Sequence, residues 1–466
     1  MTEAQRIAEL EQENAGLRQR VVELTNELVE LRKELGELRK ELEEWKRGHR
    51  ERRHRRSSRA EGSRGGTGKG PGRPWGAKGS NRPVPEKIHG TVVHPMPTTC
   101  ACGGCIEPTG EEQSTVVQDI PPVEVQNIRH VAPVGRCVAC NRRHVARLPG
   151  SSDQGEACAQ VQLGPGVQAL SLTLHFEHHV PLRGVATILG GWFQVGVSAP
   201  GLSQMFDRLR ARTALAGEEI LVRLRQSAVV GFDETGHRQD GQGAWLWLGR
   251  TDEVSYFHVD RSRGGQVFET ILGEGFVGIV CSDFYSVYTS RTDLLHAYCN
   301  AHTVREARKI AEISPNPLNE RFRARLSDIL AAGEDAQQAA DPLAAEHVHR
   351  RLRRLIATKS FREDPDLARL QDRMDEHFEG VLRFVTRPDV PMTNNASERD
   401  IRSAAVHRKV AGGTRSKSGS ETYSHWLSVT QTLRKNDLEL RSWVENANQA
   451  YLFRKKPPSV LAPQPS

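Results

Sequence analysis

The amino-acid sequence predicts a multidomain α/β chain, and three observations carry that expectation. A seven-residue apolar repeat runs from Ile7 to Trp45, two Cys-x-x-Cys pairs follow in a polar segment, and beyond about residue 225 short β-type runs alternate with helical patterns. The 466 residues suffice for two or three domains of about 150 residues each. The expected order is a coiled coil over 1–47, a basic Gly/Pro-rich linker over 48–88 and a cysteine-paired module over 89–150. A helical domain over 155–222 and a mixed-sheet domain over 225–455 follow, the latter interrupted by a helical insertion at about 303–385. Residues 456–466 read as a disordered tail.

The coiled coil rests on heptad spacing. Ile7, Asn14, Val21, Leu28, Leu35 and Leu42 recur every seven residues, and Leu10, Leu17, Leu24, Leu31, Leu38 and Trp45 follow each by three. The g-to-e pairs of a parallel dimer are Glu13 with Arg18, Glu27 with Arg32, Glu34 with Arg39, and Glu41 with Lys46. Opposite charges in that register predict a homodimer, or a higher oligomer, through this helix.

Charge is distributed unevenly. Between Lys46 and Pro83 thirteen Lys/Arg stand against two acids, Glu51 and Glu61, a balance of +11; the whole chain carries +7, so the rest sums to −4. A basic Gly/Pro-rich segment of this kind buries too little apolar surface to fold alone, and its charge suits a polyanion such as nucleic acid. No stretch approaches the roughly 18 consecutive apolar residues of a membrane helix, and MTEAQRIAEL has no basic start leading into an apolar run. A cytoplasmic, nucleoid-associated protein with no membrane partner is expected.

Four of the eight cysteines form the pairs Cys102-Gly-Gly-Cys105 and Cys137-Val-Ala-Cys140. Reduced thiolates at that spacing are suited to one structural Zn²⁺ in a ribbon-like module, with a strand-rich insert between the pairs and Cys100 and His144 as substitute ligands. Cys158, Cys281 and Cys299 read as core residues.

From about 160 to 215 the pattern is helical, and the break VGVS before SAPGLSQMFDRLRART gives it a helix-turn-helix-like appearance. A plain helical bundle joining two domains fits the same pattern. Beyond it, SAVVGFD, GAWLWLGR and VSYFHVD read as strands, GGQVFETILG as a helix, FVGIVCSD as a strand, FYSVYTS as a short helix and LLHAYC as a strand. Three strands, helix, strand, helix, strand, helix is the order expected of an RNase H-like catalytic domain.

On that order, Asp233 closes the first strand, Asp283 stands just past the fourth, and Glu398 lies in the first turn of the helix ASERDIRSAAVHRK. Converging carboxylates repel one another, and their usual compensation is bound cations. Oxygen-only ligands favour Mg²⁺, and two such ions can serve phosphoryl transfer. Each acid also has a plainer reading. Glu234 competes with Asp233, Asp283 is placed to cap a helix from Phe284, and Glu398 is placed to close a capping box with Asn395. Arg399, Arg402, Arg408, Lys409, Arg415 and Lys417 are candidate DNA-phosphate contacts. Gly412-Gly413-Thr414 is a candidate for close backbone approach to DNA, and His302 and Arg305 are candidates to flank the site.

GFDETG (231–236) with AWLWLGR, CSDFYSVY (281–288), YCNAH (298–302) and NNASERDIRSAAVHRKVAGGTRSKSG (394–419) together resemble the IS66-family transposases, and the resemblance runs from the coiled coil to nearly the last helix. It implies a transposase whose acidic triad is Asp233, Asp283 and Glu398, dependent on Mg²⁺ and acting on the terminal inverted repeats of an insertion element. DNA at element ends and target, and small accessory proteins, are the implied partners. Two other functions fit the same modules: a non-catalytic DNA-binding regulator, and an RNase H-like nuclease or resolvase that only hydrolyses DNA.

Overall fold

In a computed structural model of the chain, the residues described are Arg20, 82–146, 148 and 161–462. The expected coiled coil, apart from Arg20, lies outside them, as do most of the basic linker, Cys158 and the last four residues of the tail. The chain divides into two units, Met1–Gln118 and Asp119–Ser466.

In the first unit, residues 82–118 contain neither helix nor strand beyond an isolated bridge from Thr99 to Cys105. In the second, β1 (Val134–Arg136) pairs antiparallel with β2 (Arg143–Val145), and the two flank the Cys137–Cys140 turn. The strand-rich insert expected between the cysteine pairs is absent: residues 106–133 carry no strand. Pro121 and Pro122 remove ladder donors there, and Val117 and Ile120 stay exposed.

The helical segment comprises α1 (Pro165–Leu172), which runs into a π-helical turn at Thr173–Glu177, then α2 (Leu182–Phe193), α3 (Ala199–Arg212) and α4 (Ala214–Arg225). Between α2 and α3 the chain turns through Gln194 in the left-handed region, φ 54°, and Ser198 caps α3 by accepting from Gly201 N at 3.2 Å. Leu202, Met205, Phe206 and Leu209 recur at helical spacing along α3 and are buried. They enter the same core as Phe232, Trp247 and Leu248 of the sheet, so helices and sheet share one apolar interior.

The sheet contains β3 (Val229–Gln239), β4 (Gln242–Arg250) and β5 (Ser255–Asp260), then α5 (Gly265–Leu272), β6 (Ile279–Ser282), α6 (Ser286–Thr289) and β7 (Leu295–Tyr298). Its strand order is β5-β4-β3-β6-β7. β3, β4 and β5 form an antiparallel meander, while β6 runs parallel to β3 and β7 parallel to β6. Asp240 and Gly241, at φ 54° and 72°, make the tight β3–β4 turn that needs two positive φ angles.

After β7 comes the helical insertion: α7 (Asn300–Ile313), α8 (Pro317–Ala339), α9 (Pro342–Ala357), α10 (Pro365–Glu376) and α11 (Phe378–Thr386). α8, α9 and α10 each open with proline behind an Asn or Asp cap, and Asn316, Asp341 and Asp364 all accept backbone N–H groups. Phe322, Leu326, Leu352, Leu370 and Val381 form a second core, which takes in Ile279, Cys281 and Ala297 of β6 and β7. The chain then returns to the sheet with α12 (Asn395–Ala411), α13 (Lys417–Lys435) and α14 (Leu440–Leu452). Among the described residues, no helix is long and apolar enough to cross a membrane.

The outer edge of the sheet is closed by side chains of α13. Ser424, Ser428 and Thr432 accept from the backbone N–H groups of Val259, Phe257 and Ser255 at 3.1, 2.8 and 3.1 Å. Four helical residues rise about 6 Å and two strand residues advance about 6.6 Å, so one hydroxyl per turn meets alternate donors along β5. An open edge would otherwise invite pairing with another chain. Replacing Ser428 with alanine strands the buried N–H of Phe257, and chemical denaturation of Ser428→Ala should read a loss of about 1–3 kcal/mol.

Candidate active site

β3 does not close at Asp233 as expected; it runs on to Gln239, paired with β4 throughout. DETG has little strand propensity of its own, and the pairing with β4 overrides it. What ends near Asp233 is the other side. The β3–β6 ladder stops at Gly231 opposite Cys281, and Asp233 and Asp283 each stand two residues beyond that pair. Asp283 therefore follows the carboxyl end of β6, and Asp233, within β3, stands at the same level just past the last β3–β6 pair.

Glu398 is brought to that point by the N-terminus of α12. Asn394 is the N-cap residue, yet its side chain caps nothing. Asn394 Nδ2 donates instead to the carbonyl of Phe232 at 2.7 Å, its Oδ1 accepts from Ser397 Oγ at 2.6 Å, and its own N–H points to Cys299 Sγ at 3.1 Å. Gly231 makes the approach possible, since a Cβ there would lie 2.4 Å from Ser397 Oγ and 3.0 Å from Asn394 Oδ1. Two residues past Glu398, Asp400 fastens the same helix to the sheet. It pairs with Arg250 at 3.2 Å and Lys435 at 2.7 Å, and accepts from Ser255 Oγ at 3.0 Å. Burial pushes the Lys435 ammonium down to about 8, and Asp400 opposes that fall.

The plainer readings of the acids are partly met. Asp283 accepts from Tyr285 N at 3.0 Å, a local turn contact through one oxygen. Asp233 accepts from Glu234 N at 2.9 Å. Glu398 closes no capping box; its Oε1 faces Arg305 Nη2 at 2.8 Å and His302 Nε2 at 3.6 Å. Both flanking residues expected from the sequence are thus in place. Glu234, the competitor of Asp233, is committed elsewhere. It pairs with Arg263 at 2.7 Å and accepts from Tyr288 Oη at 2.5 Å, with its side chain 4% exposed. Arg263 is held between the rings of Trp245 and Tyr285, at 4.3 and 4.1 Å. No sequence motif pointed to Arg263 or to the Asn394 network, because each joins residues remote in the chain.

Among the described residues, the one trio of metal-ligand side chains with donor atoms within 4.8 Å of one another is Cys299, His302 and Glu398. The donor atoms of Asp233, Asp283 and Glu398 are spread more widely than that. The donor set found close enough to share one cation is therefore Cys299, His302 and Glu398.

The basic candidates lie on and beyond the same helix. Arg399, Arg402, Lys409, Arg415 and Lys417 are exposed and Arg408 is half-buried beside Gly236. Among the described residues none of the six makes an ion pair, and Arg402 does not pair with Glu398. Of the two glycines beyond α12, Gly413 is required by the protein's own packing. A Cβ on Gly413 would lie 2.1 Å from the carbonyl oxygen of Arg238, and Thr414 exchanges backbone hydrogen bonds with Arg238 and Asp240 at 2.9 and 2.8 Å. The loop is stitched to the β3–β4 hairpin.

Each cysteine pair forms a tight turn. Gly103 N donates to Cys100 O and Cys100 N to Gly104 O, both at 2.9 Å, and Asn141 N donates to Cys137 O at 2.9 Å. The Cys102 thiol is held below its ordinary range by a hydrogen bond from the backbone of Gly104, then by Cys100. The Cys137 thiol is lowered first by the backbone of Cys140, then by that of Ala139. Both turns favour thiolates. Cys281 and Cys299 are buried, as expected of core residues, and burial pushes the Cys281 thiol up to about 12.

The electrostatics gather at Asp233. Its carboxyl is pushed up from 3.8 to about 7, first by burial, then by the charge of Glu234, and further by Asp283 and Glu398. The N–H of Glu234 opposes the rise. Among the described residues neither Asp233 nor Asp283 has an ion-pair partner, so the site carries uncompensated negative charge. In the metal-free protein the raised carboxyl keeps its proton in the folded state after the unfolded chain has lost it. The stability this gives is complete below pH 3.8 and is lost as pH rises through about 7. Asp233→Asn should therefore melt with wild type near pH 4 and above it from pH 7 upward, by at most about 4 kcal/mol before solvent screening. Calorimetry of the chelated protein across that range reads the gap; an unchanging gap contradicts the assignment.

Comparison with known proteins agrees with the sequence resemblance. A family model described as "Transposase IS66 family" matches residues 160–422, a span that holds Asp233, Asp283 and Glu398. Relatives include three uncharacterized proteins of Sinorhizobium fredii (strain NBRC 101917 / NGR234). The protein y4jO is 32% identical over 152 residues, covering 32% of this chain and 46% of its own length. The protein y4hP is 24% identical over 416 residues, with 78% and 72% covered, and y4jD is 22% identical over 393 residues, with 76% and 74% covered. The match thus spans about half the length of y4jO. With more than half of its residues inside the family model, this chain belongs to the IS66 transposase family.

Proposed function

We propose that this chain is a DDE transposase with an RNase H-like catalytic domain, which cuts the terminal inverted repeats of an insertion element and joins them to target DNA. The observation that carries the reading is the buried Asp233 carboxyl, raised to about 7 in the field of Glu234, Asp283 and Glu398 with no cation paired to it. The strand order β5-β4-β3-β6-β7, with an acid at the end of β6 and another on β3, supports the RNase H-like assignment.

Asp233, which feels the charge of Asp283 and Glu398, would hold Mg²⁺ together with those two carboxylates. Bound there, the ions would polarise the phosphodiester and stabilise the attacking and leaving oxygens. The chain's own residues hold the geometry: Asn394 and Ser397 fix α12 against β3, and Arg305 orients Glu398 through its contact with Oε1. The reaction is in-line exchange at phosphorus. Water forms one P–O bond as the bond to the 3′-oxygen breaks, and the freed 3′-hydroxyl then attacks a second phosphodiester in the same way. Arg399, Arg402, Arg408, Lys409, Arg415 and Lys417 would contact DNA phosphates beside the reacting strand. The chain would act as a homodimer or larger assembly through its N-terminal helix, with accessory proteins as partners. A location in the cytoplasm on the nucleoid fits that role.

Zn²⁺ is the structural metal expected for the pairs Cys102/Cys105 and Cys137/Cys140, and the low thiols of Cys102 and Cys137 suit thiolate ligands. Zinc there would supply folding energy that a short polar module lacks. Metal analysis of the full chain should find one zinc per chain, lost in Cys105→Ser with Cys140→Ser and retained in Asp283→Asn.

The main test is joining of labelled element-end DNA to a target in Mg²⁺. Asp283→Asn should lose about 10³-fold or more in joining rate while binding end DNA as wild type does. Unchanged joining by this variant would leave a regulator that only binds DNA, and cleaved but never joined products would leave a hydrolase.

A further inference from the structure

The helical insertion carries a feature that the acidic site does not use. Between α8 and α9 lies a cleft of about 200 Å³ lined by Arg325, Ile329, Arg351, Arg354, Leu355 and Thr358. Ile329 and Leu355 form a buried apolar floor, each 3% exposed. Arg325 and Ile329 share one face of α8, and Arg351, Arg354 and Leu355 share one face of α9.

The pairing of the arginines distinguishes the cleft from its neighbours on α9. Arg350 and Arg353 interleave with Arg351 and Arg354 on α9, and each has a carboxylate, Glu346 and Glu379, at 3.9 Å. Arg353 also lies over the Phe378 ring at 4.2 Å. Elsewhere in the insertion Arg323, Arg362, Arg369, Arg373 and Arg387 pair with acids as well. Among the described residues, Arg325, Arg351 and Arg354 make no ion pair. Three guanidinium groups around one recess repel each other and present their forks without a partner. The Thr358 hydroxyl donates to the carbonyl of Arg354 at 2.6 Å, so the anion-binding donors of the cleft are the guanidinium groups.

We propose that this cleft binds the phosphodiester backbone of duplex DNA, making the insertion a second DNA-holding surface apart from the residues around α12. Arginine forks match phosphate oxygens two at a time, and duplex DNA supplies phosphates at a spacing that engages several cations together. The inference rests on the reading of the chain as a DNA-acting transposase, and it adds where the duplex is held. It assigns no sequence preference, because guanidinium–phosphate contacts position DNA and do not read bases.

The test compares two charge-matched variants of the full chain, Arg351→Gln with Arg354→Gln, and the paired control Arg350→Gln with Arg353→Gln. Anisotropy of a labelled linear duplex of arbitrary sequence is followed from about 50 to 200 mM KCl. The cleft variant should lower the slope of log affinity against log salt by about 2, at about 0.9 for each phosphate no longer neutralised, while the control keeps the wild-type slope. Matching melting temperatures keep a folding defect out of the comparison. Equal slope changes in the two variants reduce the cleft to a share of the general field, and unchanged slopes remove it; either result overturns the proposal. Calorimetry with inorganic phosphate supplies a further arm: phosphate binding abolished in the cleft variant, with its DNA slope intact, makes the cleft a free-phosphate site and overturns it too. Failure here leaves joining by wild type and its loss in Asp283→Asn untouched. A wild-type chain that binds no DNA ends both readings.

Discussion

The placement of Glu398 depends on one contact, the seating of the α12 N-terminus on β3 at Gly231. Three features make it. Gly231 leaves room that any side chain would fill, Ser397 occupies that room, and Asn394 donates to the Phe232 carbonyl just past the last β3–β6 pair. The cap residue of α12 has given up capping its own helix to make this bond. Because Asn394, Ser397 and Phe232 are all buried, breaking the bond leaves unpaired polar groups in the interior, which is costly. Asp400 then locks the rotation of α12 through Arg250, Lys435 and Ser255, so the adjacent turn holding Glu398 has little freedom left.

That contact joins segments separated by the whole insertion, and the insertion is built to permit it. Its helices bury a core made mostly of their own residues and closed against Ile279, Cys281 and Ala297 of the sheet. Its two ends are tied together by Asn300, which is 1% exposed. The backbone N–H of Asn300 donates to Met392 O at 3.2 Å, and its side chain donates to Val381 O at 2.9 Å. An insertion with joined ends costs little more loop-closure entropy than a short loop, since that cost grows only slowly with length. α7 leaves this knot carrying His302 and Arg305 toward Glu398, so the insertion also furnishes one wall of the acidic site.

The sequence made the element order legible because periodicity is a local property. The strands, the capped helices behind Asn316, Asp341 and Asp364, and the positions of the three acids all follow from spacing and turn chemistry. What stayed hidden depends on contacts across long separations. DETG looks like a strand end, and only the partner strand β4 keeps it extended. Ser424, Ser428 and Thr432 look like an ordinary polar face of α13, and nothing local says that they meet the N–H groups of β5. Gly412-Gly413 suggested an approach to DNA, whereas the tight neighbour is the Arg238 carbonyl. The partners of Glu398 were half visible, since His302 and Arg305 lie one turn apart on a helix whose closeness to α12 no spacing reveals. The sharing of one core between α1–α4 and the sheet was hidden for the same reason.

The distribution of charge explains why such a site needs help from outside itself. Carboxylates and a DNA phosphate repel, so on the proposed reading Asp233, Asp283 and Glu398 cannot approach a scissile bond until cations stand between them. Within the protein, positive charge is kept to the margins of this cluster. Arg263 is spent on Glu234, Arg305 reaches only Glu398, and neither pairs with Asp233 or Asp283. An arginine placed on Asp233 would settle its raised carboxyl and also occupy the coordination it is kept for. On that reading the unpaired arginines on α12 and in the insertion would grip the duplex while the centre stays free for metal. On the same reading, the repulsion that raises the Asp233 carboxyl is what divalent ions bound among these acids would relieve.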